Sequence, residues 1–74
     1  MKAVGTKITR SLSRTREPRW RLTTTVRADN GSVSRFTDEA PTYHLARLEE
    51  AHVLVQYAKT GYLIEKHPEE VGEP

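Results

Sequence analysis

Hydrophobic and polar side chains alternate along residues 19–27 with a period of two. The even positions hold Trp20, Leu22, Thr24 and Val26, and the odd positions hold Arg19, Arg21, Thr23, Thr25 and Arg27. Successive side chains of a strand point to opposite faces, so this alternation predicts a half-buried β-strand. One face of that strand is apolar and the other is basic.

A turn sequence, Asp29-Asn30-Gly31, follows this strand and predicts a β-hairpin. A two-residue turn at Asn30-Gly31 would place Phe36 opposite Thr25, on the basic face. A three-residue loop with Gly31 in a left-handed conformation places Phe36 opposite Thr24, on the apolar face. Because a slip of one residue reverses a whole strand, the hydrophobic pattern favours the three-residue loop. Arg35 then joins the basic face.

Residues 2–12 also alternate, with Val4, Ile8 and Leu12 at even positions. They predict a first strand paired antiparallel with residues 19–27, although Arg10 interrupts its apolar side. Residues 11–18 contain few apolar side chains and end in a proline, which predicts a basic connecting loop. The loop is either simply solvated or binds phosphate.

Residues 37–42 have the composition of a helix start: Pro41 suits a first helical position, and Asp38 and Glu39 complement the positive end of a helix dipole. The helix is expected to run to about Thr60 and to end at Gly61. A broad apolar face is predicted to form its core side: Leu45, Leu48, Ala51, Leu54, Val55 and Ala58. A narrower strip lies near the opposite side and contains Ala46, Val53 and Tyr57, and it is either covered by the next segment or meets a partner.

The last residues divide into two parts. Residues 62–66 predict a short strand that returns to the sheet, or an extended segment on the helix. Residues 67–74 predict an acidic disordered tail. The fold expected is therefore α+β with the order β-β-β-α-β. A single domain of residues 1–66 contains a three-stranded antiparallel sheet packed on one C-terminal helix, with a short fourth strand.

Composition excludes several classes of protein. The 74 residues include no cysteine, which argues against disulfides and thiolate metal sites and favours a reducing cytoplasm. The N-terminus lacks the apolar core of a signal peptide, and no apolar run is long enough to span a membrane. Catalytic motifs are absent, and His44 and His52 are too far apart on a helix to share a metal. A cytoplasmic, non-enzymatic protein without cofactor or metal is expected.

Charge is divided unevenly between the two halves of the chain. Residues 1–36 carry nine basic and two acidic side chains, whereas residues 37–74 carry three basic and eight acidic ones. Asymmetry of this kind is typical of proteins that bind polyanions. The predicted basic face includes no acid, and its candidate nucleic-acid contacts are Lys7, Arg19, Arg21, Arg27 and Arg35.

That face either binds an anionic partner, or is simply solvated or contacts a protein, as one face of an antiparallel sheet commonly does. Duplex DNA is the favoured anionic partner. Arginine and threonine on a sheet can contact phosphates and enter a major groove. Trp20 and Phe36 lie on the apolar face, so a platform for stacking single-stranded bases is missing. The hypothesis requires that Trp20 be covered and that no carboxylate neutralise Arg19, Arg21 and Arg27.

A different class of function is also open: a small protein that binds and inhibits, or adapts, a host protein. It would use a sheet edge or the strip containing Val53 and Tyr57. The small size and uneven charge are similar to those of small phage proteins that dock on a host enzyme. Either hypothesis is compatible with a monomer or a weak homodimer.

Several segments together resemble the N-terminal arm-binding domains of tyrosine recombinases of phages and mobile elements. They are Pro18-Arg19-Trp20-Arg21-Leu22, Gly31, Arg35-Phe36-Thr37 and the helix with Ala46. The resemblance covers about residues 6–57 and implies a three-stranded sheet that enters the major groove and is braced by one helix. It implies a regulatory or phage-encoded DNA-binding role. This chain differs from those recombinases because it has no catalytic domain, and because a strand-like segment and an acidic tail follow the helix.

Overall fold

The computed structural model describes residues 1–11 and 19–68. Its elements are β1 (Ala3–Ser11), β2 (Arg19–Arg27), β3 (Val33–Ala40), α1 (Tyr43–Lys59) and β4 (Leu63–Ile64). The strands form one sheet in the order β3-β2-β1-β4. Neighbouring strands are antiparallel except β4, which is parallel to β1. The α+β fold with the order β-β-β-α-β is therefore confirmed.

The hairpin between β2 and β3 has the predicted three-residue loop. Thr24 lies opposite Phe36, and the Ala28 amide donates a hydrogen bond of 2.8 Å to the Ser32 carbonyl. Gly31 has a φ of 88°, a left-handed conformation that a side chain would disfavour. Phe36 is consequently on the same face as Leu22 and Val26.

β3 is longer than predicted, and it includes two acidic residues that were expected at the start of the helix. Asp38 and Glu39 belong to the strand, opposite Leu22 and Arg21, and the first helical turn contains no acid. The ladder with β2 continues to Ala40, just before Pro41. The helix starts after Thr42, whose hydroxyl accepts a hydrogen bond of 3.1 Å from the Leu45 amide.

Helix α1 covers the predicted face of the sheet, but its own orientation differs from the prediction. Ala46 is fully buried, and the Thr6 hydroxyl donates a 2.6 Å hydrogen bond to Glu50. Leu48 and Val55, expected in the core, are 55% and 50% exposed. The small Ala46 lets the helix approach the sheet closely, and the contact of Thr6 with Glu50 places that same side of the helix inward.

The core of the described residues is small: Ala3, Val4, Leu22, Val26 and Ala46. At the other face of the sheet, His67 and Pro68 are buried against β1. The tail was predicted to be disordered from His67, but its first two residues, His67 and Pro68, are packed on the sheet. Residues 69–74 and residues 12–18 of the predicted connecting loop lie outside the described residues.

Candidate interaction surface

The face of the sheet opposite the helix carries the predicted basic residues. Lys7, Arg19, Arg21, Arg27 and Arg35 all occupy odd positions in β1, β2 and β3. Trp20 is on the other face, where its ring meets Tyr43 edge-on with a centroid distance of 5.0 Å. The alternation in the sequence therefore placed these side chains correctly with respect to the helix.

A carboxylate lies among the arginines, contrary to the expectation that this face includes no acid. Because β3 extends to Ala40, Glu39 falls on the basic face. Its Oε1 lies 3.4 Å from Arg19 Nε and its Oε2 lies 3.7 Å from Arg21 Nη2. The three side chains are 37% to 49% exposed, so each ion pair contributes little to stability. Together the two ion pairs neutralise part of the positive charge of the basic face.

The third arginine of β2 is held by the chain that follows β4. Arg27 Nη2 lies 3.3 Å from Glu65 Oε2, and Arg27 Nη1 donates a 3.2 Å hydrogen bond to the Pro68 carbonyl. The same segment reaches Gly5, and Thr25 beside it on the sheet is fully buried. One end of the basic face is therefore covered by the protein itself.

On the helix side, an open groove runs between β3 and the first turns of α1. Its volume is about 420 Å³. The apolar part of its lining consists of Leu22, Ala40, Pro41, Leu45, Ala46 and Leu48. Asp38, Glu39 and Glu49 complete the lining. One helix is too narrow to cover the whole width of the sheet, so β3 and the outer side of Leu45 and Leu48 stay accessible.

The outer edge of β3 borders this groove. β3 is the last strand of the sheet on its side, so no strand of the described residues pairs with that edge. Hydrogen-bonded and non-hydrogen-bonded pairs alternate in an antiparallel ladder. Since Ala28 bonds to Ser32, the even residues of β3 bond to β2, and the amides and carbonyls of Arg35, Thr37 and Glu39 point outward.

Phe36 stands on β3 beside this edge. It is 52% exposed, although it lies on the helix face of the sheet. Leu45, Leu48 and Val55 on α1 are exposed to a similar degree, from 45% to 55%. A long edge strand with exposed apolar side chains is a site where another strand can pair. We call β3, Phe36 and the adjoining groove the edge site.

The strip proposed from the sequence for protein binding is turned inward instead. Val53 and Tyr57 are half-buried, and the Tyr57 ring packs edge-on against Tyr62 with a centroid distance of 4.9 Å. Sequence reasoning named a sheet edge as one possible binding surface, but it missed the groove beside β3 because it assigned Leu45 and Leu48 to the core. The signal that could have found this groove is the number of elements, since the sequence predicts one helix to cover a sheet of four strands.

Three further properties of the described residues are the pKa of Arg47, the placement of possible metal ligands and the length of the helix. A hydrogen bond to the Tyr43 hydroxyl, the charge of that group and the nearby Glu50 raise the pKa of Arg47, which stays a cation in any case. Within residues 1–11 and 19–68, no group of three His, Asp or Glu side chains is placed to hold a metal ion. No described helix is both long enough and apolar enough to cross a membrane.

No family model, curated protein or solved structure matches this chain. The function is therefore inferred from the geometry of the two surfaces.

Proposed function

We propose that this protein is a small interaction module that holds an extended polypeptide strand along the outer edge of β3. The observation that carries the proposal is the outer edge of β3, with which no strand of residues 1–11 and 19–68 pairs, beside an apolar groove. Strand addition of this kind obtains its affinity from main-chain hydrogen bonds and its specificity from pockets for alternate side chains. Both components are found at the edge site.

The outward amides and carbonyls of Arg35, Thr37 and Glu39 supply the main-chain partners. Every second side chain of an added strand would lie on the helix side of the sheet. There it would meet Phe36 and the groove formed by Leu22, Leu45 and Leu48. An apolar side chain is preferred at that position because it removes the half-exposed leucines and the phenylalanine from water.

Contact of the basic face with duplex DNA is the second hypothesis, supported by the five cations on one face. It ranks lower because Arg19, Arg21 and Arg27 each have a carboxylate oxygen within 3.7 Å. A phosphate would have to displace Glu39 and Glu65 from them. The expectations that the protein is regulatory or phage-encoded, that it is cytoplasmic and that it is not an enzyme stay predictions.

The experiment uses peptides selected for binding from a random library, tested on the wild-type chain and on Thr37→Pro. Proline removes the outward amide of Thr37 and is tolerated on an edge strand. Arg10→Pro is the matched control, because it places a proline on the opposite edge of the sheet, beyond the two residues of β1 that pair with β4. We expect Thr37→Pro to lose binding and Arg10→Pro to retain it.

Amide hydrogen exchange identifies the edge that is used. On peptide binding, the amides of Arg35, Thr37 and Glu39 should become protected. The amides of Ser34, Phe36 and Asp38 bond to β2 already and serve as an internal control. Equal binding by wild type and Thr37→Pro, or selected peptides that leave the three outward amides unprotected, would refute strand addition at β3.

A further inference from the structure

We propose that the strand accepted at the edge site is β3 of a second copy of this chain, in an antiparallel pair centred on Thr37. This inference rests on the proposed function, since it uses the same edge. The product is a two-fold symmetric dimer with one continuous eight-stranded sheet and both helices on the same side. Such an interface is self-complementary, as a two-fold axis requires.

The backbone permits this pairing. In an antiparallel pair, two opposite residues exchange hydrogen bonds only if both present their amide and carbonyl to the other strand. The outward groups belong to the odd residues of β3. A pair centred on Thr37 sets each odd residue opposite another odd residue, so the outward amides and carbonyls of the two β3 strands face each other.

The charges on β3 select this register. Arg35 and Glu39 lie on the same face of the strand, two residues before and two residues after Thr37. Centring on Thr37 therefore brings Arg35 of each copy opposite Glu39 of the other, twice in the dimer, where it would join Arg19 and Arg21 as a third cation around that carboxylate. Centring on Arg35 would instead oppose like charges, and centring on Phe36 would set Arg35 opposite the neutral Thr37. Opposite charges directly across two strands are stabilising and like charges are destabilising.

The groove selects the same register independently. With Thr37 at the centre, Phe36 of the second copy lies opposite Asp38, whose side chain lines the groove. Its ring is then beside Leu22, Ala40 and Leu45. The two Phe36 rings become diagonal neighbours, which is within reach of aromatic side chains. Centring on Phe36 would stack the two rings on the axis and direct neither one to the groove.

The exposed apolar surface indicates why a second copy is needed. Five apolar residues form the core of the described chain, whereas nine large apolar side chains are exposed. The dimer removes Phe36 and Leu45 from water and pairs the longest open edge. Because the interface is one strand and one groove, we expect a dissociation constant of roughly micromolar magnitude.

The test compares the full-length wild type with Arg35→Glu and Glu39→Arg by sedimentation velocity, over concentrations from about 10 µM to about 1 mM. In a dimer of either variant alone, residues 35 and 39 carry the same charge and face each other twice. Its dimerisation should therefore weaken about tenfold or more. An equimolar mixture of the two variants restores both opposite-charge pairs. We expect the mixture to form heterodimers with nearly wild-type affinity, identified by native mass spectrometry.

Lys7→Glu is the matched control, because it reverses a strand cation on the same face but away from the β3 edge. It should dimerise like the wild type. Restoration by mixing also separates the loss of a contact from a failure to fold, since an unfolded Glu39→Arg chain could not form heterodimers. A wild type that stays monomeric at about 1 mM, or variants that do not complement each other, would overturn the inference.

The failure of this inference is distinguishable from the failure of strand addition itself. If the wild type is monomeric while selected peptides still protect the amides of Arg35, Thr37 and Glu39, the second copy is the wrong partner and the proposed function stands. If Thr37→Pro changes neither self-association nor peptide binding, both proposals are wrong.

Discussion

Gly5 lies where the segment after β4 crosses the sheet, and the contact depends on its missing side chain. A Cβ at this position would overlap the Glu65 carbonyl, the His67 amide and the ring of Pro68. The crossing buries Thr25 and brings Glu65 to Arg27. A glycine in an otherwise regular strand often marks a close approach of backbone, and here it allows the chain to cover the basic face.

Gly5→Ala should therefore destabilise the protein by about 1–3 kcal/mol, because the three overlapping groups must move. Gly31→Ala is the useful comparison. No atom lies within 4 Å of a Cβ there, so its cost comes from the φ of 88° alone and should be about 1 kcal/mol. Denaturant unfolding followed by circular dichroism measures both. Of the two variants, only Gly5→Ala should speed the hydrogen exchange of the amides in residues 65–68. If it does not, the packing argument is wrong.

The charge of Glu39 provides a test of whether the basic face binds DNA. Its single negative charge lies between Arg19 and Arg21 and offsets part of their positive charge. We expect neither the wild type nor Glu39→Gln to bind duplex DNA at about 0.15 M salt, as measured by fluorescence anisotropy.

If the arginines do contact phosphates, Glu39→Gln should bind more tightly than the wild type, and the affinity should fall more steeply as salt is added. Arg21→Ala and Arg27→Ala should then weaken binding. That result would restore the DNA hypothesis.

Among the elements, α1 departs most from the expectation of its sequence. The broad apolar face was expected inward, yet the narrower strip with Ala46 faces the sheet. Helical periodicity shows which residues share a face, but it does not show which of two apolar faces meets the sheet. That choice depends on close approach at Ala46, the hydrogen bond that the Thr6 hydroxyl donates to Glu50 and the packing of Tyr43 on Trp20.

The orientation of α1 predicts that substitutions on its exposed face and on its buried face change the free energy of unfolding by different amounts. Leu48→Ala should change the free energy of unfolding by only about 0.5 kcal/mol at low protein concentration, because the side chain is 55% exposed. Ala46→Leu should cost about 1–3 kcal/mol, since its site is fully buried. If Leu48 were in the core, its truncation would cost about 2–5 kcal/mol. Urea unfolding of both variants distinguishes these orientations.

The part of the molecule that the structure describes is thin, with a shortest dimension of 15 Å. Within residues 1–11 and 19–68, one sheet and one helix leave β3 uncovered on the helix side and bury few apolar side chains. Small domains of this kind are marginally stable unless something else supports them. A second copy at the edge site would supply that support.

Thermal stability should then depend on protein concentration. Association that is specific to the folded state raises the free energy of unfolding by mass action. We expect the Tm of the wild type to rise by several degrees between dilute and concentrated solutions. The Tm of Thr37→Pro should not change with concentration. A wild-type Tm that is independent of concentration would contradict a dimer of folded chains.

Much of the fold could be predicted from local pattern. The alternation in β2 and the loop at Gly31 predicted the strand faces and the register of Phe36 opposite Thr24 correctly. The end of β3 could not be predicted, because Asp38 and Glu39 favour a helix start locally and are held in the strand by pairing with β2. The basic site residues share the predicted face, but the carboxylates beside them come from that longer strand and from the distant Glu65.

By itself the sequence determined the element order, the hairpin register and the two faces of the sheet, because these depend on side-chain period and turn geometry within a few residues. Only the tertiary structure decided how α1 is turned, how far β3 extends, and which acids meet Arg19, Arg21 and Arg27. Those outcomes depend on contacts between segments far apart in the chain, whose energies no local pattern contains. The edge site follows from them, since it is the part of the sheet that a single helix, turned in this way, leaves uncovered.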